Sequence, residues 1–190
     1  LIAAALGHVD VVEVLLSANA AVNQTDVDGR TALYLASLYG FAAVVAVLAA
    51  AGANVDQAKE GGVTPLFIAC EKGHVDVARL LLDHKASVDL AVKDGRTPLF
   101  VACQNGHVAV VDVLLATGAS SERAMVGIGW TPLISAAFCG HAAVMEKLLA
   151  AGADRSAATT AEHIFDGSTT PAGLTALSVA ELRGHSAVAA

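Results

Sequence analysis

A short motif recurs along the 190-residue chain, and this repetition constrains the fold more than any other feature of the sequence. Its clearest copy spans residues 64–82, with the sequence TPLFIACEKGHVDVARLLL. The threonine that opens each copy recurs at spacings of 33, 33, 34 and 44 residues, at Thr31, Thr64, Thr97, Thr131 and Thr175. A chain built from such units buries its apolar side chains between neighbouring copies rather than in one central core.

Each copy predicts two short helices joined by a tight turn. Thr64 is a favourable N-cap, and Pro65 suits the first helical position. Gly73 can end the first helix because it adopts a positive φ without a Cβ clash. In the second helix Val77 and Leu81 lie on one apolar face. Neither helix is long enough to be stable by itself, so each must pack against a neighbour.

The turn glycine is a second marker of the period. It recurs at spacings of 33, 33, 33, 34 and 44 residues, at Gly7, Gly40, Gly73, Gly106, Gly140 and Gly184. The last spacing is 44 rather than 33 residues by both markers, so 11 extra residues precede the last copy.

A 33-residue period in which Thr-Pro-Leu opens a helix pair resembles the ankyrin repeat. The resemblance extends to Gly-x-Thr before each first helix and to Leu-Leu-x-x-Gly-Ala, or a variant of it, after each complete second helix. It implies an all-α, elongated solenoid of stacked helix-turn-helix units joined by hairpin-like loops. The predicted array has a partial repeat at 1–24, complete repeats at 25–57, 58–91, 92–124 and 125–157, an inserted loop at 158–172 and a partial repeat at 173–190.

The chain departs from the ankyrin pattern at two positions of the repeat. The histidine that usually follows Thr-Pro-Leu is replaced in every copy, and we expect apolar packing in its place at most of them. The replacing residues are Leu1, Tyr34, Phe67, Phe100, Ile134 and Ser178. The glycine after the second helix is replaced by Asn19 and Lys85 in two copies. Asparagine tolerates the left-handed conformation well, whereas Lys85 is expected to be slightly strained.

Residues 154–172, DRSAATTAEHIFDGSTTPA, contain the insertion. Their Ser, Thr, Ala, Gly and Pro content predicts an extended loop at a hairpin tip. Two alternatives stay open, a mobile surface loop and a binding finger whose apolar cluster is residues 163–165. The first and last copies are incomplete, so we expect the array to be a fragment that is cut at both ends.

Five histidines recur at one position of the repeat, where Phe41 interrupts the series: His8, His74, His107, His141 and His185. Stacked copies lie roughly 10 Å apart, whereas zinc ligands lie about 2 Å from one ion, so one histidine per copy cannot converge on a metal. The resemblance implies that each imidazole braces the turn between two helices. Cys70 and Cys103 share a small core position one repeat apart, too far for a disulfide, which fits a reducing compartment.

The acidic balance and the missing motifs argue against several functions. The formal net charge of −7 disfavours nucleic acid and anionic membranes, and it makes basic or amphipathic partners easier to accommodate. No apolar run is long enough to cross a bilayer. The sequence lacks the Gly-Lys-Ser/Thr of a phosphate loop and shows no paired carboxylates, so we predict no enzyme activity, cofactor or metal. We expect an intracellular monomer, in the cytoplasm or nucleus.

The candidate site is the concave face, which the resemblance assigns to the hairpin tips and the exposed ends of the first helices. Residue type varies between copies there, while the helix-packing positions hardly vary. The predicted protein-binding residues are Arg30, Leu38, Tyr39, Glu71, Lys72, Arg96, Gln104, Asn105, Trp130 and Phe138. Trp, Tyr and Arg are enriched at interface hot spots, so we expect Trp130 to be an anchor. The alternative is that Trp130 and Phe138 shield the neighbouring loop.

These observations predict a protein–protein interaction scaffold that binds a partner protein or peptide through its concave face and hairpin tips. The alternative is the targeting or regulatory arm of a larger multidomain enzyme or signalling protein. A longer reading frame with a fused catalytic segment would distinguish the two.

Overall fold

A computed structural model describes residues 1–165 and 168–185. In this part of the chain, eleven short helices alternate with turns, and one pair of strands precedes the last helix. The elements are α1 (Ile2–Ala5), α2 (Val9–Ser17), α3 (Ala32–Tyr39), α4 (Ala42–Ala50), α5 (Pro65–Lys72), α6 (Val75–Asp83), α7 (Pro98–Gln104), α8 (Val108–Ala116), α9 (Pro132–Cys139), α10 (Ala142–Ala150), β1 (His163–Phe165), β2 (Ser168–Thr170) and α11 (Ala176–Leu182). Residues 186–190, the end of the last predicted repeat, lie outside the described residues.

Threonine caps begin five of the first helices, as the sequence predicts. Each hydroxyl oxygen accepts a hydrogen bond from the backbone N–H three residues later, for example that of Phe67 to Thr64 at 3.1 Å. The same bond is made by Thr31, Thr97, Thr131 and Thr175. Proline occupies the first turn of α5, α7 and α9. The threonine hydroxyls thus satisfy backbone donors that have no partner inside the helix.

The turn glycines have two reasons to be glycine. Gly73 has a φ of +78°, in the left-handed region that favours a residue without a Cβ. A Cβ at this position would also lie 2.7 Å from Nδ1 of His107, in the next repeat. The same ring-on-glycine contact recurs at Gly40–His74, Gly106–His141 and Gly140–His185, and with a phenyl ring at Gly7–Phe41.

The histidines join neighbouring repeats by hydrogen bonds. Nε2 of His107 lies 3.0 Å from the carbonyl oxygen of Glu71, at the end of the preceding first helix. A carbonyl can only accept, so Nε2 carries the proton and donates. Equivalent bonds join His74 to Leu38, His141 to Gln104 and His185 to Phe138, at 3.0–3.1 Å. Each of these four imidazoles therefore braces the turn of the repeat before it.

The helices form two layers that run along the array. First helices contact first helices from α1 through α3, α5, α7 and α9 to α11, and second helices contact one another from α2 to α10. Each first helix from α1 to α9 also packs on the second helix of its own repeat. Leu81 of α6, predicted to be buried, is fully enclosed between these layers. This sequence of neighbour contacts confirms the predicted all-α solenoid.

A second series of bonds joins the repeats at the opposite edge, beyond the second helices. Both carboxylate oxygens of Asp89 accept from the backbone N–H of Ser120, each at 3.2 Å. Asp56 accepts in the same way from Ser87 at 2.9 Å. Asn19 and Lys85, near this edge, have φ values of +60° and +69°, so the predicted left-handed conformation at both positions is confirmed.

The insertion forms a hairpin rather than the extended loop predicted from its composition. Strands β1 and β2 pair antiparallel, with His163 opposite Thr170. At the base, the Thr159 hydroxyl donates to the carbonyl of Pro171 at 2.9 Å and accepts from the N–H of Leu174 at 3.1 Å. The two paired strands differ from the extended loop that composition predicts, because pairing satisfies backbone groups that a loop would leave to water.

Candidate functional site

Three tight loops precede the first helices α3, α5 and α7. We call these the finger loops, residues 26–30, 59–63 and 92–96. Each is closed by a backbone hydrogen bond between its first N–H and its last carbonyl, at 3.0–3.1 Å. The N–H of Glu60 donates to the carbonyl of Asp28 at 3.2 Å, which joins the first two finger loops. Backbone bonding alone therefore fixes the first two finger loops in register.

Two clefts open between the finger loops and the helices that follow them. The Tyr34 cleft has a volume of about 520 Å³ and is lined by Asp28, Arg30, Tyr34, Leu38, Lys59, Glu60, Gly61 and Lys93. The Phe67 cleft has a volume of about 230 Å³ and is lined by Gly61, Val63, Phe67, Glu71, Val92, Lys93, Asp94 and Arg96. Both share Gly61 and Lys93, so they adjoin, and we call the pair the groove.

Four of the ten predicted surface residues line the groove: Arg30, Leu38, Glu71 and Arg96. Tyr39 is 54% exposed but does not line either cleft. Lys72 and Asn105 are exposed, and Gln104 is half-buried, on the same helix ends. The structure thus brings part of the predicted set together over three consecutive repeats.

The predicted exposure of Trp130 and Phe138 is wrong. Both side chains are only 2% exposed. Their ring centroids lie 5.0 Å apart with the planes tilted by 50°, and the Arg183 guanidinium carbon lies 4.3 Å from the Phe138 centroid. Ser135 occupies the position taken by larger side chains in the preceding repeats, and it lies one turn before Phe138 on the same helix face. The burial and mutual contact of the Trp130 and Phe138 rings place both in the core.

Ion pairs hold the arginines of the groove. Arg30 contacts the carboxylates of Asp26 at 2.8 Å and Asp28 at 2.9 Å. Arg96 contacts Asp94 at 2.8 Å. The pKa of Asp26 lies below its ordinary value, chiefly because the backbone N–H of Arg30 donates to this carboxylate and its side chain does too. These arginines therefore fasten the finger loops and offer little net charge to a partner.

The donors that remain in the Tyr34 cleft were missed by the sequence argument. Tyr34 is 3% exposed, and its phenol makes no hydrogen bond to any described residue. Lys93 is exposed and forms no ion pair within residues 1–165 and 168–185. Lys59 donates to the carbonyl of Glu60 at 3.3 Å, again without an ion pair in that part of the chain. Tyr34 could have been found from the sequence, because it replaces a polar histidine of the repeat with another polar ring.

The structure explains the cysteines and histidines by packing. Cys70 and Cys103 are enclosed, and burial raises the pKa of both thiols because it disfavours the thiolate. Within the described residues, no group of three His, Cys, Asp or Glu side chains could hold a metal ion. The described helices also include none with the length and apolar character needed to cross a bilayer.

Comparison with known proteins gives one match. A family model for ankyrin repeats, described as three copies, matches residues 1–94, 54–125 and 87–159. Together these segments include every residue that lines the groove. A search of curated proteins found no match. Neither result adds support to the alternative of an arm of a larger enzyme.

Proposed function

The chain belongs to the ankyrin repeat family, and we propose that it binds one extended segment of a partner protein along the groove. Ankyrin repeats are generally protein–protein interaction modules. The observation that carries the proposal is the pair of adjoining clefts, which crosses three repeats and stays open while the equivalent face at Trp130 is filled. A stripe of this shape suits an extended chain better than a compact ligand.

The size of the clefts fits successive side chains of such a segment. Adjacent helices in the array pack roughly 10 Å apart, so equivalent points of neighbouring repeats are separated by about that distance. A polyproline II segment rises about 3.1 Å per residue with three residues per turn, which brings every third side chain to the same face about 9 Å further on. A segment in this conformation would therefore place one side chain in each cleft.

The test uses a matched pair of variants. Glu71 lines the Phe67 cleft, and its only ion pair among the described residues is with its exposed neighbour Lys72, at 2.9 Å. Phe138, at the same position of a later repeat, shows that an aromatic ring is accommodated at this point of the helix. Glu71→Trp should therefore fill the cleft without unfolding the array. Glu146→Trp makes the same change on the exposed side of α10, in the other helix layer.

Twelve-residue peptides selected from a phage-displayed random library against the wild-type protein supply the probes. We expect Glu71→Trp to weaken their binding at least tenfold and Glu146→Trp to leave it unchanged, by fluorescence polarisation. Bound peptide should also slow hydrogen exchange in the finger loops. Peptides that bind both variants as tightly as the wild type would refute the groove as the binding site.

A further inference from the structure

We infer that the Tyr34 cleft receives a carboxylate side chain of the bound segment, and that the Phe67 cleft receives an apolar side chain three residues away. This inference rests on the proposed function and specifies the chemistry of the partner. It runs against the overall charge of −7, which by itself favours a basic partner. What selects the ligand is which polar groups of the groove already have a partner.

The phenol of Tyr34 is a donor that reaches the cleft although most of its side chain is buried. The side chain is 3% exposed, yet it lines the cleft wall and makes no hydrogen bond to a described residue. Burial raises the pKa of this phenol, because it disfavours the phenolate, so the group stays protonated and can donate. The hydroxyl itself is not enclosed, so it reaches the water of the cleft and is accessible to an acceptor on the ligand.

Two ammonium groups stand beside this donor. Lys59 and Lys93 line the same cleft and have no carboxylate partner in the described part of the chain, whereas Arg30 is neutralised by Asp26 and Asp28. The remaining carboxylate of the cleft, Glu60, is exposed to water. With Asp26 included, three cations and three carboxylates balance around the cleft, so its net charge does not select the ligand. What the cleft offers is three hydrogen-bond donors, on Tyr34, Lys59 and Lys93, that have no carboxylate partner among the described residues. A carboxylate is the acceptor-only group that can engage all three donors.

The Phe67 cleft has the opposite character. Most of its charged side chains are paired, Glu71 with Lys72 at 2.9 Å and Arg96 with Asp94 at 2.8 Å, and Lys93 at its edge has no ion pair in the described part of the chain. Val63, Phe67 and Val92 provide apolar wall. An aliphatic side chain can bury its surface against this wall, away from the Lys93 ammonium at the edge. The shared residue Lys93 marks the boundary between the two clefts.

The probes are two fluorescein-labelled octapeptides, Gly-Ser-Glu-Pro-Pro-Leu-Ser-Gly and the version with Leu-Pro-Pro-Glu at its centre. Both orders are used because the two clefts do not set the direction of the chain. Each has a partner peptide with Gln in place of Glu and another with Lys. The prolines favour the polyproline II conformation, which keeps the two side chains on one face.

We expect one of the Glu peptides to bind wild-type protein at least tenfold more tightly than its Gln partner. Lys93→Glu should reverse the preference, so that the Lys peptide binds more tightly than the Glu peptide. Tyr34→Phe should weaken the Glu peptide several-fold and leave the Gln peptide unchanged. Arg155→Glu makes the same change of charge at an exposed loop residue outside the groove and should change nothing.

Equal binding of the Glu and Gln peptides, or no binding of either order, would overturn the carboxylate assignment. An unchanged preference in Lys93→Glu would overturn it as well. The proposed function would survive each of these results if the phage-selected peptides still lose affinity in Glu71→Trp. If the phage-selected peptides bind Glu71→Trp as tightly as the wild type, the groove itself is refuted as the binding site.

Discussion

Replacing His107 by phenylalanine would isolate the hydrogen bond that joins two repeats. The imidazole lies over Gly73, where an added Cβ would be 2.7 Å from Nδ1, and Nε2 donates to the carbonyl of Glu71 at 3.0 Å. Phe41 shows that a phenyl ring fits the same position, since its ring lies over Gly7 in the same way. His107→Phe should therefore keep the ring packing and remove only the hydrogen bond.

The expected loss follows from how buried the bond is. An intramolecular hydrogen bond contributes about 0.5–1.5 kcal/mol net, and leaving a buried acceptor without a partner costs about 1–3 kcal/mol. Here the bond is part-buried, so water can compensate in part. We expect His107→Phe to lower the free energy of unfolding by roughly 1–2 kcal/mol. For a chain of this length that corresponds to a fall in Tm of roughly 2–8 °C.

The assay is urea unfolding followed by far-ultraviolet circular dichroism, with His107→Ala as the comparison. The alanine variant also loses the ring contact with Gly73, so it should be the less stable of the two. A His107→Phe protein that is as stable as the wild type would show that the bond contributes nothing. One as unstable as His107→Ala would show that phenyl does not replace the imidazole in packing.

Three further predictions test other parts of the argument. Trp130→Ala should lower the free energy of unfolding by about 3–5 kcal/mol, because it empties a core position. The substitution Tyr39→Ala, at an exposed position, should change it by at most about 0.5 kcal/mol. If urea unfolding ranks the two variants the other way, Trp130 is not a core residue. Leu81→Ala should cost about 2–5 kcal/mol and Thr64→Ala about 1 kcal/mol in the same assay, and the reverse order would contradict the assignment of the inner face. Because the pKa of Asp26 is lower in the folded protein than its ordinary value of 3.8, its carboxylate stabilises the fold at pH values above 3.8, and this stability is lost as the pH falls through the folded pKa. Asp26→Asn should therefore make Tm depend less on pH at the acid end. An unchanged profile of Tm against pH would contradict this.

Local signals in the sequence predicted the scaffold correctly because the scaffold depends on local physics. A threonine cap, a proline at the first position and a glycine with positive φ each act within one or two turns of chain. Thr64 and Gly73 could therefore be assigned without knowing what surrounds them. Repetition then supplied the packing, since each unit has only its neighbours to pack against.

The errors lie where a residue's environment depends on another element. Interface statistics favoured an exposed Trp130, but its burial depends on packing against other elements, including the ring of Phe138, 5.0 Å away. Tyr34 seemed to be apolar packing, yet its phenol reaches a cleft completed by lysines of two later finger loops. The hairpin of the insertion depends on pairing between two strands, which composition alone does not report. In each case the correct prediction depends on a contact between two elements, which local sequence signals do not report.

The histidine bonds also connect the stability of the stack to the shape of the groove. His74 and His107 donate to the carbonyls of Leu38 and Glu71, and the side chains of those two residues line the Tyr34 and Phe67 clefts. In both residues the backbone carbonyl accepts the bond between repeats, and the side chain forms part of the cleft wall. Releasing the carbonyl should loosen the position of the wall. If the groove binds the partner as proposed, we expect binding and stability to be coupled on this edge of the array.

Asp89 provides the control for that coupling, because its bonds to Ser120 join the same two repeats at the opposite edge. We expect Asp89→Ala to lower the free energy of unfolding by about 1 kcal/mol, as a comparable lost hydrogen bond does. Only His107→Phe should also weaken the phage-selected peptides, by several-fold in fluorescence polarisation well below both melting temperatures. If Asp89→Ala weakens the peptides equally, affinity follows overall stability. If neither variant changes affinity, the cleft wall does not depend on the bond to Glu71.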